Sequence, residues 1–86
     1  MLDLKKETAR VKDLMAKGTI NIDDIHYGDI VTFNYFEKAV RGKVAIIDRQ
    51  GGGIYYTICP SVDIQGDDGI FYKHVAIVDL NVEKDN

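Results

Sequence analysis

Apolar positions change their spacing once along the chain, at Gly18. Before it, Leu4, Val11, Leu14 and Met15 fall on one stripe at helical spacing, Lys5, Lys6, Lys12 and Lys17 lie mostly elsewhere, and no Pro or Gly interrupts. This predicts a helix over residues 3 to 17. Asp3 can cap its start and Gly18 can close its end. A helix of about fifteen residues with so narrow a stripe is marginal alone, so the stripe is expected to pack on the rest of the chain or on a second copy, as a homodimer through the helix.

After Gly18 the period is two, and the punctuation is that of short strands. Ile20, Ile22 and Ile25 give an extended lead-in, Gly28-Asp29 a turn, and Ile30 to Phe36 a first long strand. In "VRGKVAIID", Val40, Val44 and Ile46 alternate with Arg41 and Lys43, which predicts the second. "IYYTIC" predicts a third, Ile54 to Cys59, with Ile54, Tyr56 and Ile58 on one face and Pro60 as its stop. "DIQGDDGIFYK" reads as a short hairpin turning at Asp67-Asp68-Gly69, and "VAIVDL" as a closing strand. Between the second and third strands, Asp48 to Gly53 reads as a hairpin loop whose glycines, Gly52 among them, supply positive φ. A phosphate loop would need a helix after the glycines and a Lys followed by Ser or Thr, and "GGGIYY" has neither.

Composition narrows the class. The chain has 86 residues, 45% hydrophobic and 29% charged, the balance of an ordinary single globular domain. Nothing resembles a signal peptide and no apolar run reaches the ~20 residues of a membrane span, so the expected location is the cytoplasm, without membrane contact. Cys59 is the single cysteine and cannot form an internal disulfide; its apolar run suggests a buried, inert thiol. Residues 1 to 17 hold five Lys/Arg against three Asp/Glu, and residues 18 to 86 hold six against eleven. So acidic a body is a poor general ligand for nucleic acid and suits a basic protein partner better.

Five short strands in about sixty residues, with no helical segment for a parallel crossover, indicate a small antiparallel barrel. The order of elements from Ile22 to Leu80 resembles the Src-homology-3-like (SH3-like) small barrels: an apolar arm, "YGDIV" opening the first long strand, a central hairpin pivoting at "RQGGG", and a short turn at "YKHV" into "AIVDL". The expected architecture is mainly β: a five-stranded antiparallel SH3-like barrel over residues 19–82, preceded by an N-terminal amphipathic helix, 1–18, and followed by a disordered tail, 83–86. This superfold serves peptide, protein, RNA and DNA binding alike, so it leaves function open. The layout, a lone helix plus barrel, also looks like the accessory proteins of bacteria, phages and mobile elements.

Candidate chemistry is sparse. His26 and His74 have no Cys or His at metal-ligand spacing, "DIQGDDG" lacks the ligand order of a calcium loop, and Ser61 has no nucleophile elbow. No metal, cofactor or catalytic residue is therefore assigned. The leading expectation is a non-enzymatic module for an unidentified protein partner, with Tyr27, Tyr35, Tyr55 and Tyr72 near strand ends as the contact residues. A nucleic-acid-binding barrel is the first alternative, resting on Lys38, Arg41, Lys43 and Arg49 of one hairpin with Tyr35 and Tyr55 near enough to stack. The second arises because "GDIV", Arg41 and "TICPS" resemble the layout of endoribonucleases from toxin-antitoxin pairs, a resemblance that implies Arg41 and Ser61 as a catalytic pair.

Overall fold

β2 (Lys38–Asp48) is the spine on which the other strands are laid. The computed structural model describes residues 3–18 and 20–83, in which β2 pairs antiparallel with β1 (Ile30–Tyr35) on one side and β3 (Ser61–Gly66) on the other. β4 (Phe71–Ala76) continues beyond β3, and the two-residue β5 (Asn81–Val82) returns to the outer side of β1. The result is one five-stranded antiparallel sheet in the order β4-β3-β2-β1-β5. β4 and β5 are its edges and do not pair, so the expected barrel does not close. Register shifts between Val44 and Ile46 and between Val62 and Ile64 insert bulges that bend the sheet. The bend brings Phe33 of β1 to Tyr72 of β4, and the concave face buries Val31, Phe33, Val40, Val44, Val62, Ile64 and Tyr72.

α1 (Leu4–Lys17) closes one end of this face. Asp3 caps it by accepting from the Lys5 and Lys6 amides, and Gly18, at φ 64, ends it in the left-handed conformation. The stripe packs on the chain's own body: Val11 is wholly buried and Met15 lies against the core, while Leu4 overhangs and is exposed. Polar groups fasten the same dock. Arg10 bonds Glu7 on its own helix and Asp79 at 2.7 and 3.1 Å, and the Tyr55 hydroxyl donates to Glu7 Oε1 at 3.0 Å. The Arg10 guanidinium holds the Glu7 carboxyl below its usual range, while burial, with Glu7 as the hydroxyl's acceptor, pushes Tyr55 up to about 12.

Three expected elements take other forms. The lead-in contains a short 3-10 turn, Ile22–Asp24, capped by Asn21. Ile54 to Cys59 is not a strand: Gly53–Tyr55 is a 3-10 turn and the chain keeps turning to Pro60. Its inward residues are Tyr55, Ile58 and Cys59, at spacings of three and four, while Ile54 and Tyr56 are exposed, so the alternation in "IYYTIC" does not describe its burial. The third strand starts only after the proline. "VAIVDL" is likewise divided: Val75 and Ala76 finish β4, Ile77–Asp79 is a 3-10 turn, and β5 begins after Leu80. Of the expected tail, 84–86 lie outside the described residues; the Glu83 amide donates to Ile30 O at 2.8 Å.

The triple glycine serves close packing. A Cβ on Gly51, at φ 83, would strike the carbonyl oxygens of Tyr55 and Cys59. Gly52 is extended at φ −115, contrary to the expected positive φ, and needs to be glycine for a different reason: a Cβ there would collide with the His74 imidazole. Its amide donates to the buried Ser61 Oγ at 2.9 Å.

Candidate functional site

The end of the sheet away from α1 is formed by two hairpin tips. β1 passes to β2 through only Phe36 and Glu37, at φ 46 and 69. Positive φ at both central residues is the signature of a type I′ turn, which normally selects Asn-Gly. Two ordinary residues held there carry strain of about 1–3 kcal/mol each, of the kind that collects at functional sites. β3 passes to β4 through Asp67-Asp68-Gly69, with Gly69 at φ 86.

Between the tips runs a series of edge-to-face rings. Phe33 meets Tyr72 at 5.4 Å, Tyr72 meets Tyr35 at 5.0 Å, and Tyr35 meets Phe36 at 4.7 Å, each pair steeply inclined. Exposure rises along the series: 3% for Phe33, 4% for Tyr72, 45% for Tyr35 and 76% for Phe36. Core apolar surface is thus continued out to solvent, and Ile70 and Phe71, both exposed, extend it on the opposite tip. A groove of about 490 Å³ lies here, lined by Tyr35, Lys38, Ile70, Phe71, Tyr72 and Lys73.

Its polar groups are fixed by one another. The Tyr72 hydroxyl donates to Asp68 Oδ2 at 2.6 Å, Lys38 Nζ donates to the same oxygen at 2.8 Å, and Asp68 Oδ1 accepts the Ile70 amide at 3.0 Å. Lys38, with Tyr72, holds the Asp68 carboxyl far below its usual range; Asp68 in turn raises both Lys38 and Tyr72. A carboxylate lowered and an ammonium and a phenol raised are all held in their neutral-pH forms, so none is poised to exchange a proton there. The groove offers apolar contact, fixed charge and hydrogen bonding.

The four predicted tyrosines divide. Tyr35 and Tyr72 come together in this groove; Tyr55 belongs to the helix dock at the other end, and Tyr27 is exposed in the turn before β1. Phe36, Ile70 and Phe71 escaped sequence reasoning, although "GIFY" directly follows the predicted turn at Asp67-Asp68-Gly69 and Phe36 ends the predicted first strand.

The cationic candidates are dispersed and mostly paired. Lys38 is held by Asp68. Arg41 grips Glu83 at 2.9 and 3.0 Å and Asp67 at 3.1 Å, and Arg49 pairs with Asp23 at 2.9 Å. Among the described residues Lys43 has no carboxylate partner, and no cluster of His, Cys, Asp or Glu could hold a metal ion. Arg41 also borders a second cleft of about 570 Å³, with Asp24, Asp29 and Glu83 in its walls. Ser61 is fully buried and pairs with Asp48, seven residues along β2 from Arg41 or roughly 23 Å at strand rise, so these two side chains are not brought together.

No helix among the described residues is long and apolar enough to cross a membrane. The chain matches no protein-family model, and no curated protein or solved structure shows significant similarity to it.

Proposed function

We propose that this chain is a non-enzymatic binding module that receives an apolar anchor of a protein partner in the aromatic groove between the two hairpin tips. The observation that carries the reading is the graded ring series, buried at Phe33 and open at Phe36, on a turn held in strained backbone. Aromatic side chains that give large contact area at low entropic cost are the groups favoured as interface anchors. The partner is a protein rather than a nucleic acid on this reading because three of the four candidate cations, Lys38, Arg41 and Arg49, are engaged by Asp68, Glu83, Asp67 and Asp23, which leaves Lys43 alone of that set to neutralise phosphates. The order of elements further supports an opened-out relative of the SH3-like fold.

The test is site-specific photo-crosslinking in the native cell. A photoreactive phenylalanine analogue at Phe36 should give discrete protein adducts, and the same analogue at Tyr27 should not. Adducts from Tyr27 alone, or RNA adducts from Phe36, would replace this reading.

A further inference from the structure

The free edge of β4 changes character along its length. β4 is the last strand on its side of the sheet. In the β3–β4 hairpin the Gly69 amide donates to Gly66 O and the Gly66 amide to Ile70 O, which makes Gly66 and Ile70 a hydrogen-bonded pair. Such pairs alternate in an antiparallel ladder, so the next is Ile64 with Tyr72. Tyr72 commits its N–H and C=O to β3, and those of Phe71 and Lys73 face outward. Past Lys73 the edge is blunted: His74 turns to φ 56, its amide goes to Asp63 Oδ1 at 2.9 Å, and its ring lies against Gly52 and Gly53. The unpaired stretch, Phe71 to Lys73, is the stretch that lines the aromatic groove.

Resting on the binding reading above, the geometry points to its mode: the partner presents an extended segment that adds to the β4 edge along Phe71–Lys73. Outward donors and acceptors repeating every two residues are complementary to another extended backbone. Strand alternation then fixes the side chains. The residue opposite Tyr72 shares its face and enters the groove beside Tyr35, so it is apolar. The residue opposite Lys73 points to the other face, where Lys73 meets no carboxylate of the described residues, so it is Asp or Glu. A second copy of this chain fits less well, because pairing two β4 edges about Tyr72 sets Phe71 against Lys73 and brings that cation no opposite charge.

Phage-displayed random linear peptides panned on the full-length protein test this. The enriched peptides should carry an acidic residue next to a large apolar one, and binding should fall about tenfold or more with Tyr35→Ala and with the exposed-site variant Phe36→Ser. Methylating the backbone nitrogens of one enriched peptide singly should weaken it by about tenfold at alternate positions and little at those between, since each lost hydrogen bond is of that order. Exchange of the Phe71 and Lys73 amides should slow in the complex. Peptides that need Tyr35 and Phe36 yet tolerate methylation everywhere would overturn the edge pairing and leave the binding groove standing. Peptides indifferent to both ring substitutions, or no enrichment, would overturn the groove and this inference together.

Discussion

At one end of the sheet, where β2 and β4 finish and β3 begins, α1 covers the core and the polar groups of the dock are answered from within: Arg10 by Glu7 and Asp79, Tyr55 by Glu7, Gly52 by Ser61. At the other end, where β1 and β3 finish, two hairpin tips leave rings in solvent and hold Phe36 and Glu37 in left-handed backbone. Both ends are rich in tyrosine. Tyr55 has its ring half-buried and its hydroxyl bound, whereas Tyr35 keeps a face uncovered. Thr57 and His74 hold positive φ at the helix end too, and Ile54 and Tyr56 are exposed there, so what sets the tips apart is the connected ring series that runs from the core out to solvent.

The contrast can be broken first at the glycines. Gly51→Ala should have the largest effect, a loss of about 3 kcal/mol in urea unfolding, because its Cβ meets two carbonyls and a positive φ together. A loss under about 1 kcal/mol would mean that the loop gives way and the helix end is not rigid. Val11→Ala should follow at about 2 kcal/mol, two methyl groups removed from a fully buried site.

Tyr55→Phe should cost about 1 kcal/mol at neutral pH and should sharpen the comparison through its pH dependence. With Tyr55 raised from about 10 to about 12 in the folded protein, its contribution is complete below pH 10 and lost as pH rises through 12. Glu7 has the opposite sign: its carboxyl is lowered from 4.5, so its contribution is present above that pH and lost as pH falls through the depressed value. The variant should therefore lose less stability than the parent between pH 10 and 12 in urea titrations; parallel alkaline losses would remove Tyr55 from the dock.

At the tips the expected effects are small and include one of opposite sign. Glu37→Gly should raise stability by about 0.5 kcal/mol by relieving a positive φ. Phe36→Ser should leave thermal unfolding within about 0.5 kcal/mol of the parent. A large loss from either would make the tip part of the core rather than a surface.

The sequence was legible where local pattern and burial agree. The helix, with Asp3 and Gly18 at its ends, and the two strands through "IVTFNY" and "VRGKVAIID" follow from periodicity because Val11, Val31, Phe33, Val40 and Val44 all point to one core. Ile46, expected on the same face as Val40 and Val44, is exposed because the bulge after Val44 breaks the alternation. "IYYTIC" misled because an alternating string was used for its Tyr55, Ile58 and Cys59 positions, a distinction made by α1 and His74 from distant parts of the chain. Tyr35 and Tyr72 could be nominated singly; their meeting depends on sheet curvature set by bulges that leave no mark in composition. The Phe36-Glu37 turn was hidden by chemistry: with neither Asn nor Gly, nothing announced a two-residue reversal.

The bond from Arg10 to Asp79 spans 69 residues, and that interval has a cost in time. At a synthesis rate of roughly 5–20 residues per second, Asp79 follows Arg10 by roughly 3 to 14 s. For those seconds the α1 segment has no dock, and an isolated helix of 14 residues is marginal in water. Meanwhile β1 to β4, each adjacent in sequence to the strand it pairs with, can zip within microseconds to milliseconds of emerging. α1 is thus made well before the residue that docks it, whereas each of these strands has its partner at hand as soon as the neighbouring strand is made.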